Sequence, residues 1–122
     1  MMMNPNDIDM CVADTLRDDE IENLDAILCA LNHEDGSSWR GARGESFSVE
    51  EVQDSLFRLM EAGYITPCAE QPPACECIPV PKEQVGLAIK WNALWFHLEE
   101  SGREAVKRWW DTEGRTKYPP TQ

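Results

Sequence analysis

Three cysteines, Cys68, Cys75 and Cys77, fall within the single stretch CAEQPPACEC and come nearest to a metal-ligand set in this chain. Zinc favours thiolates, and a histidine could complete a tetrahedron. The spacing, however, lacks the paired C-x-x-C that closes a knuckle without strain. A surface-loop disulfide or free thiols in a variable loop account for the same residues more simply. No cofactor is expected.

The other chemical candidates meet similar objections. His33 and His97 are the only histidines, and neither stands in a metal-type pair or beside a serine nucleophile. His97 alternates with Phe96 and Leu98, which predicts an outward-facing position on a strand. The segment GSSWRGARGE offers small residues with Arg40 and Arg43, but it lacks the lysine and the strand-then-helix setting of a phosphate loop. Among the acidic pairs Asp18-Asp19, Glu50-Glu51 and Glu99-Glu100, two lie at expected helix starts, where the helix dipole already favours negative charge. General acid-base work requires burial that adjacent exposed acids lack. The chain is therefore not expected to be an enzyme, and no small-molecule substrate is expected.

Five tryptophans remain: Trp39, Trp91, Trp95, Trp109 and Trp110. Strand alternation and the adjacent Trp109-Trp110 pair send some rings in opposing directions, so not all can be core. Two readings stay open. The closing helix and a strand bury the rings in one cluster, or some of them form an exposed patch for a protein partner.

Charge narrows the partners. The chain of 122 residues carries 11 basic against 23 acidic side chains, a net charge of −12. Residues 1–76 hold 17 acids and 4 bases, whereas residues 77–122 hold 6 acids and 7 bases, so the acidity belongs to the first two-thirds. Such a surface repels polyanions unless its bases gather on one face. No apolar run approaches a bilayer span, and MMMNPNDIDM lacks the pattern of a signal peptide, so no membrane association and a cytoplasmic location are expected. Five cysteines, an odd number, argue against a secreted disulfide framework, and Cys11 and Cys29 read as buried small hydrophobes.

The elements that must position these residues follow from periodicity and caps. Residues 1–6 are expected to be disordered, and Ile8, Val12 and Leu16 predict a short amphipathic helix. A stronger helix, with Asp18 and Asp19 as cap candidates, should carry Ile21, Leu24, Ile27, Leu28 and Leu31 and run to about His33. Residues 35–46 read as a loop with one helical turn around Trp39 to Arg43. In FSVEEVQDSLFRLMEAGYI, Ser48 and Glu51 form a capping box and Phe47 and Val52 a hydrophobic staple. Val49, Val52, Leu56, Leu59 and Met60 make the apolar stripe, and Gly63 the stop. A strand should begin at Tyr64-Ile65, and prolines then make residues 67–81 an extended, exposed loop. Strand-like patterns recur from Val85 to Trp91 and from Leu94 to Leu98. A second capping box, Ser101 with Glu104, should open a last helix carrying Ala105, Val106, Trp109 and Trp110 and ending at Gly114, before a loosely held polar tail.

The run from Leu59 to Ile65, a helix ending in Leu-x-x-x-Gly-Tyr-Ile, and the run from Phe96 to Arg103, Phe-x-Leu-x-x-x-Gly-Arg, resemble the later part of a winged helix-turn-helix domain. The resemblance implies an α+β fold, with a winged-helix-like three-helix core, a small antiparallel β-hairpin as the wing, and a C-terminal helix. It places an N-terminal extension with a short helix at 1–17, the domain at 18–110 and a polar tail at 111–122. The family's usual Thr after the strand is Glu99 here, so the last cap is expected from Ser101.

The resemblance also implies a recognition helix, but here that helix bears Glu50, Glu51, Asp54 and Glu61 against Arg58. This sign is wrong for phosphate. The expected role is a protein-interaction module that contacts itself, as a homodimer, or a partner, through Trp91, Trp95, Trp109, Trp110, Glu50, Glu51 and Asp54. The alternative is a DNA-binding transcriptional regulator in which Arg40, Arg43, Arg58, Lys82 and Lys90 converge with Arg103, Lys107 and Arg108.

Overall fold

Asn4 opens the first helix, α1 (Pro5–Thr15), by accepting the Asp7 amide at 2.8 Å, with Pro5 at the first helical position, where a missing N–H costs nothing. In this computed structural model, residues 3–17, 21–33, 38–68 and 94–118 are described. After α1 come β1 (Ile21–Asn23), α2 (Leu24–Leu31), the single turn α3 (Trp39–Arg43) and α4 (Val49–Glu61). Strands β2 (Ile65–Cys68) and β3 (Trp95–Leu98) follow, then α5 (Glu100–Trp109), a π-helical turn (Trp110–Gly114) and a last helical turn, α6 (Arg115–Lys117). No helix among the described residues is long and apolar enough to cross a membrane.

The class is α+β, as expected. The three strands form one antiparallel sheet in the order β1-β3-β2, with Asn23 and Cys68 both opposite Trp95, and Ile21 and Thr66 both opposite His97. Pro67 lies within β2 opposite Phe96, which differs from its expected place in an exposed loop. An edge strand tolerates a residue without an N–H, and β2 is an edge. The other loop prolines and the expected strand from Val85 to Trp91 lie outside the described residues.

α4 starts and stops as its sequence implies. Glu51 N donates to Ser48 Oγ at 3.1 Å and Ser48 N donates to Glu51 Oε1 at 3.0 Å, which completes the capping box. At the other end Gly63 has φ +79°, and the Gly63 and Tyr64 amides donate back to the Met60 and Leu59 carbonyls, the Schellman closure that favours glycine. Phe47, Val52, Leu56, Leu59 and Met60 are all buried in one core. Val49, expected on the same stripe, is instead 44% exposed on the outer face.

Three expectations are corrected by the packing. The second helix starts at Leu24, because Asn23 Oδ1 caps it by accepting the Ala26 amide at 2.9 Å and Ile21–Asn23 is drawn into the sheet by β3. Its core face is Leu24, Ile27 and Leu31, which leaves Cys29 exposed, not buried. Residues 3–6 are ordered and not disordered as expected: Met3 is buried, Pro5 begins α1, and Ile8, Met10, Cys11, Val12, Ala13 and Leu16 of that helix join the common core.

The closing helix likewise differs. α5 has Glu99 at its N-cap with no side-chain cap bond, so the expected Ser101-Glu104 box is not formed. Ser101 Oγ donates to the Gly63 carbonyl instead, and Thr66 Oγ1 donates to Glu99 Oε1 at 2.8 Å, so both side chains tie the helix start to β2 and its turn. Gly114 does not end the helix. It keeps helical angles, φ −60° and ψ −44°, and the chain is held as far as Tyr118.

Candidate functional site

Two regions gather the candidate residues. The first is built on Asp7, a carboxylate that is only 2% exposed. Asp7 Oδ1 accepts from Trp109 Nε1 at 2.9 Å, while Oδ2 accepts from Lys117 Nζ at 3.2 Å and from the Tyr118 hydroxyl at 3.3 Å. A buried charge persists only when paired and hydrogen-bonded, and Asp7 is both. It fastens the C-terminal turn onto α1. Burial, and then the Asp7 charge and hydrogen bond, push the Tyr118 phenol up to about 12. Burial, with Asp14 and Asp7 nearby, raises the Cys11 thiol, which is therefore a packed small hydrophobe, as expected, and not a nucleophile.

Around this carboxylate the aromatic rings assemble. Trp39 lies 5.7 Å from Trp109 and 6.1 Å from Trp110 between ring centroids, and Trp109 lies 6.2 Å from Trp110. Tyr118 meets Trp39 edge-on at 5.8 Å. Trp109 is buried, with Gly114 against its six-membered ring, and Trp39 and Trp110 are half-buried. Their planes are mutually inclined by 51° to 79°, so they do not stack in parallel. Beside these rings opens a cleft of about 250 Å³, lined also by Val106, Asp14 and Arg17. Trp39 Nε1 donates to Asp14 Oδ2 at 3.0 Å, and Arg17 pairs with Asp14 Oδ1 at 3.2 Å. Trp95 is placed on β3, half-buried, and Trp91 lies outside the described residues.

The second region is the outward face of α4. Glu50, Asp54 and Glu61 are exposed there, with Val49 and Phe57, the latter 38% exposed. Arg58, its base, is bound by Asp9, with Nη2 at 2.8 Å and Nε at 3.0 Å from the carboxylate. Glu51 is half-buried and paired with Arg43 at 2.7 Å. Burial works to raise its carboxyl, but the Ser48 amide and the Arg43 guanidinium together outweigh that and hold it below the ordinary range.

Of the residues considered for nucleic acid, Arg40, Arg43 and Arg58 are each engaged within the fold. Arg43, with only 7% of its side chain exposed, donates to Glu51 Oε2 at 2.7 Å and to Glu45 Oε1 at 3.2 Å, and lies 4.4 Å over the Phe47 ring. One of its nitrogens, Nη1, is buried with no hydrogen-bond partner among the described residues. Arg40 donates to the Asn32 carbonyl at 3.3 Å. Lys82 and Lys90 lie outside the described residues.

Cys68, the one described member of the cysteine loop, is disulfide-bonded and fully buried, and a disulfide sulfur is not a thiolate ligand. Cys75 and Cys77 lie outside the described residues. His97 takes its expected half-exposed position on β3, 4.0 Å from Glu99.

Sequence reasoning passed over Asp7, Asp14 and Tyr118. Asp7 could have been found: it stands four residues before Cys11 on the apolar side of α1, where an acid needs a buried partner. No family model matches the chain, and none is found to match it among characterised proteins or solved structures.

Proposed function

We propose that the chain is an acidic, winged-helix-like protein-interaction module that receives a positively charged protein surface on the outer face of α4. The winged-helix reading is supported by element order: a helix, a short strand, three further helical segments of which α3 is a single turn, and an antiparallel pair whose returning strand also takes up β1. On that reading α4 stands where a recognition helix would stand. The observation that carries the function is its charge: three exposed carboxylates, Glu50, Asp54 and Glu61, with Arg58 neutralised by Asp9. Such a face repels phosphate, since nucleic-acid affinity depends on cations that displace counterions. It attracts basic protein surface, and charge complementarity of this kind mainly raises the association rate and selects the partner.

A titration of the protein against a fluorescent duplex across a salt series tests the reading. The module gives no binding even at about 50 mM salt. Steep salt-dependent affinity for duplex would instead return the DNA-binding alternative. Self-association as a homodimer is read separately, by sedimentation across a concentration series.

A further inference from the structure

The cleft beside the tryptophans has a chemistry that the acidic face of α4 does not use, and its reading stands apart from that face. It is lined by three indole rings inclined to one another by 51° to 79°, by Val106 and by the carboxylate of Asp14. Indole faces attract cations more strongly than any other side-chain face. Asp14 is fixed in place by the Trp39 indole N–H at 3.0 Å, so it does not depend on Arg17 for its position.

Arg17 is a cation that already lines the cleft. Its guanidinium pairs with Asp14 at 3.2 Å beside the tryptophans. The two side chains are 45% and 32% exposed, so this is a surface pair of small worth that a better-placed cation can displace. An incoming anion would meet Asp14 instead.

We infer that the cleft of Trp39, Trp109, Trp110 and Asp14 binds an organic cation, an alkylated ammonium or a guanidinium group, which takes over Asp14 from Arg17. The shared chemistry is a delocalised or alkyl-shielded positive charge, which is cheaper to remove from water than a bare ammonium. A free small molecule and a basic side chain of a protein can both carry it.

The test is a titration of the full chain with tetramethylammonium chloride and, separately, with N-acetyl-arginine methylamide, against sodium chloride at equal ionic strength. The indole N–H resonances of Trp39 and Trp110 are followed by NMR. Saturable shifts with dissociation constants in about the millimolar range are expected. Arg17→Gln, which removes the competing guanidinium, tightens binding about threefold, and Asp14→Asn weakens it about fivefold. Either cation binding more tightly than the other supports the site and identifies its source, a quaternary ammonium molecule or a basic side chain. Equal shifts from neutral tert-butanol would overturn the inference. So would saturation by benzoate in place of the cations, or weaker cation binding in Arg17→Gln. Arg17 is a surface position, so that variant keeps the test decisive even if Asp14→Asn fails to fold.

Discussion

Trp109 donates its indole N–H to Asp7 at 2.9 Å, and this one bond joins residues 102 positions apart. It closes α5 onto α1 and sets the ring about which the aromatic cluster is arranged. Asp7→Ala leaves Trp109, Lys117 and Tyr118 without their acceptor, and should lower the free energy of unfolding by about 3 kcal/mol. Asp7→Asn keeps an acceptor oxygen for the indole and should cost about 1 kcal/mol. Urea midpoints at unchanged slope read both values.

The neighbouring constraint is Gly114. A Cβ added there would stand 2.8 Å to 2.9 Å from three carbons of the Trp109 ring, and neither the π-helical turn nor the buried indole can yield freely. Gly114→Ala should therefore destabilise by about 2 kcal/mol, although alanine is ordinarily the better helix former. It should also shift the Trp109 indole resonance. A stabilised Gly114→Ala would show that the ring is not confined as described.

Tyr118 adds a dependence on pH. Its phenol is raised from 10.0 to about 12, by burial first and then by Asp7, so the folded state holds the proton more tightly than the unfolded chain. The stabilisation is fully present below pH 10 and is lost as pH rises toward about 12. The informative quantity is the difference between the parent and Tyr118→Phe. That difference should shrink across this range. At neutral pH the variant loses the hydroxyl bond to Asp7 and should be weaker by about 1 kcal/mol.

Glu51 and Arg43 act as one unit. Glu51→Gln loses the charge that answers a buried guanidinium, and should cost about 2 kcal/mol by chemical denaturation at pH 7. Because the Glu51 carboxyl is held below its ordinary range, its contribution is present above that range and fades as pH falls through the depressed value. The gap between parent and Glu51→Gln should therefore close in acid. A gap that persisted there would mean that the pair is not what holds Arg43.

The parts of the fold legible in the sequence were those governed by local rules. The Ser48-Glu51 box, the Gly63 stop, the α3 turn and the β3 alternation each depend on residues a few positions apart, and each is found. What was missed depends on contacts distant in sequence. β1 exists because β3 pairs with it, so a stretch with helical spacing becomes a strand and Asn23 becomes the cap. Ser101 was read as a cap, but the turn at Gly63 offers it a carbonyl. Arg43 looked like a free cation in a Gly-rich loop, yet Glu51 and Phe47, which engage it, belong to the next helix and to the residue before its cap. At the site, Trp109 is core and Trp39 and Trp110 pack against it half-buried, and all three line the cleft, which no local rule in the sequence indicates.

The central claim is that the outer face of α4 receives positive protein surface through its carboxylates. Its most direct measurement is the affinity of a basic, arginine-rich peptide for the parent chain and for the combined variant Glu50→Gln, Asp54→Asn, Glu61→Gln. These three exposed positions can be changed without touching the Glu51 cap. The parent should bind with salt-dependent affinity, and the variant should be at least about tenfold weaker while unfolding at the same urea concentration. Equal affinity in parent and variant, or no binding by the parent at low salt, would contradict the claim.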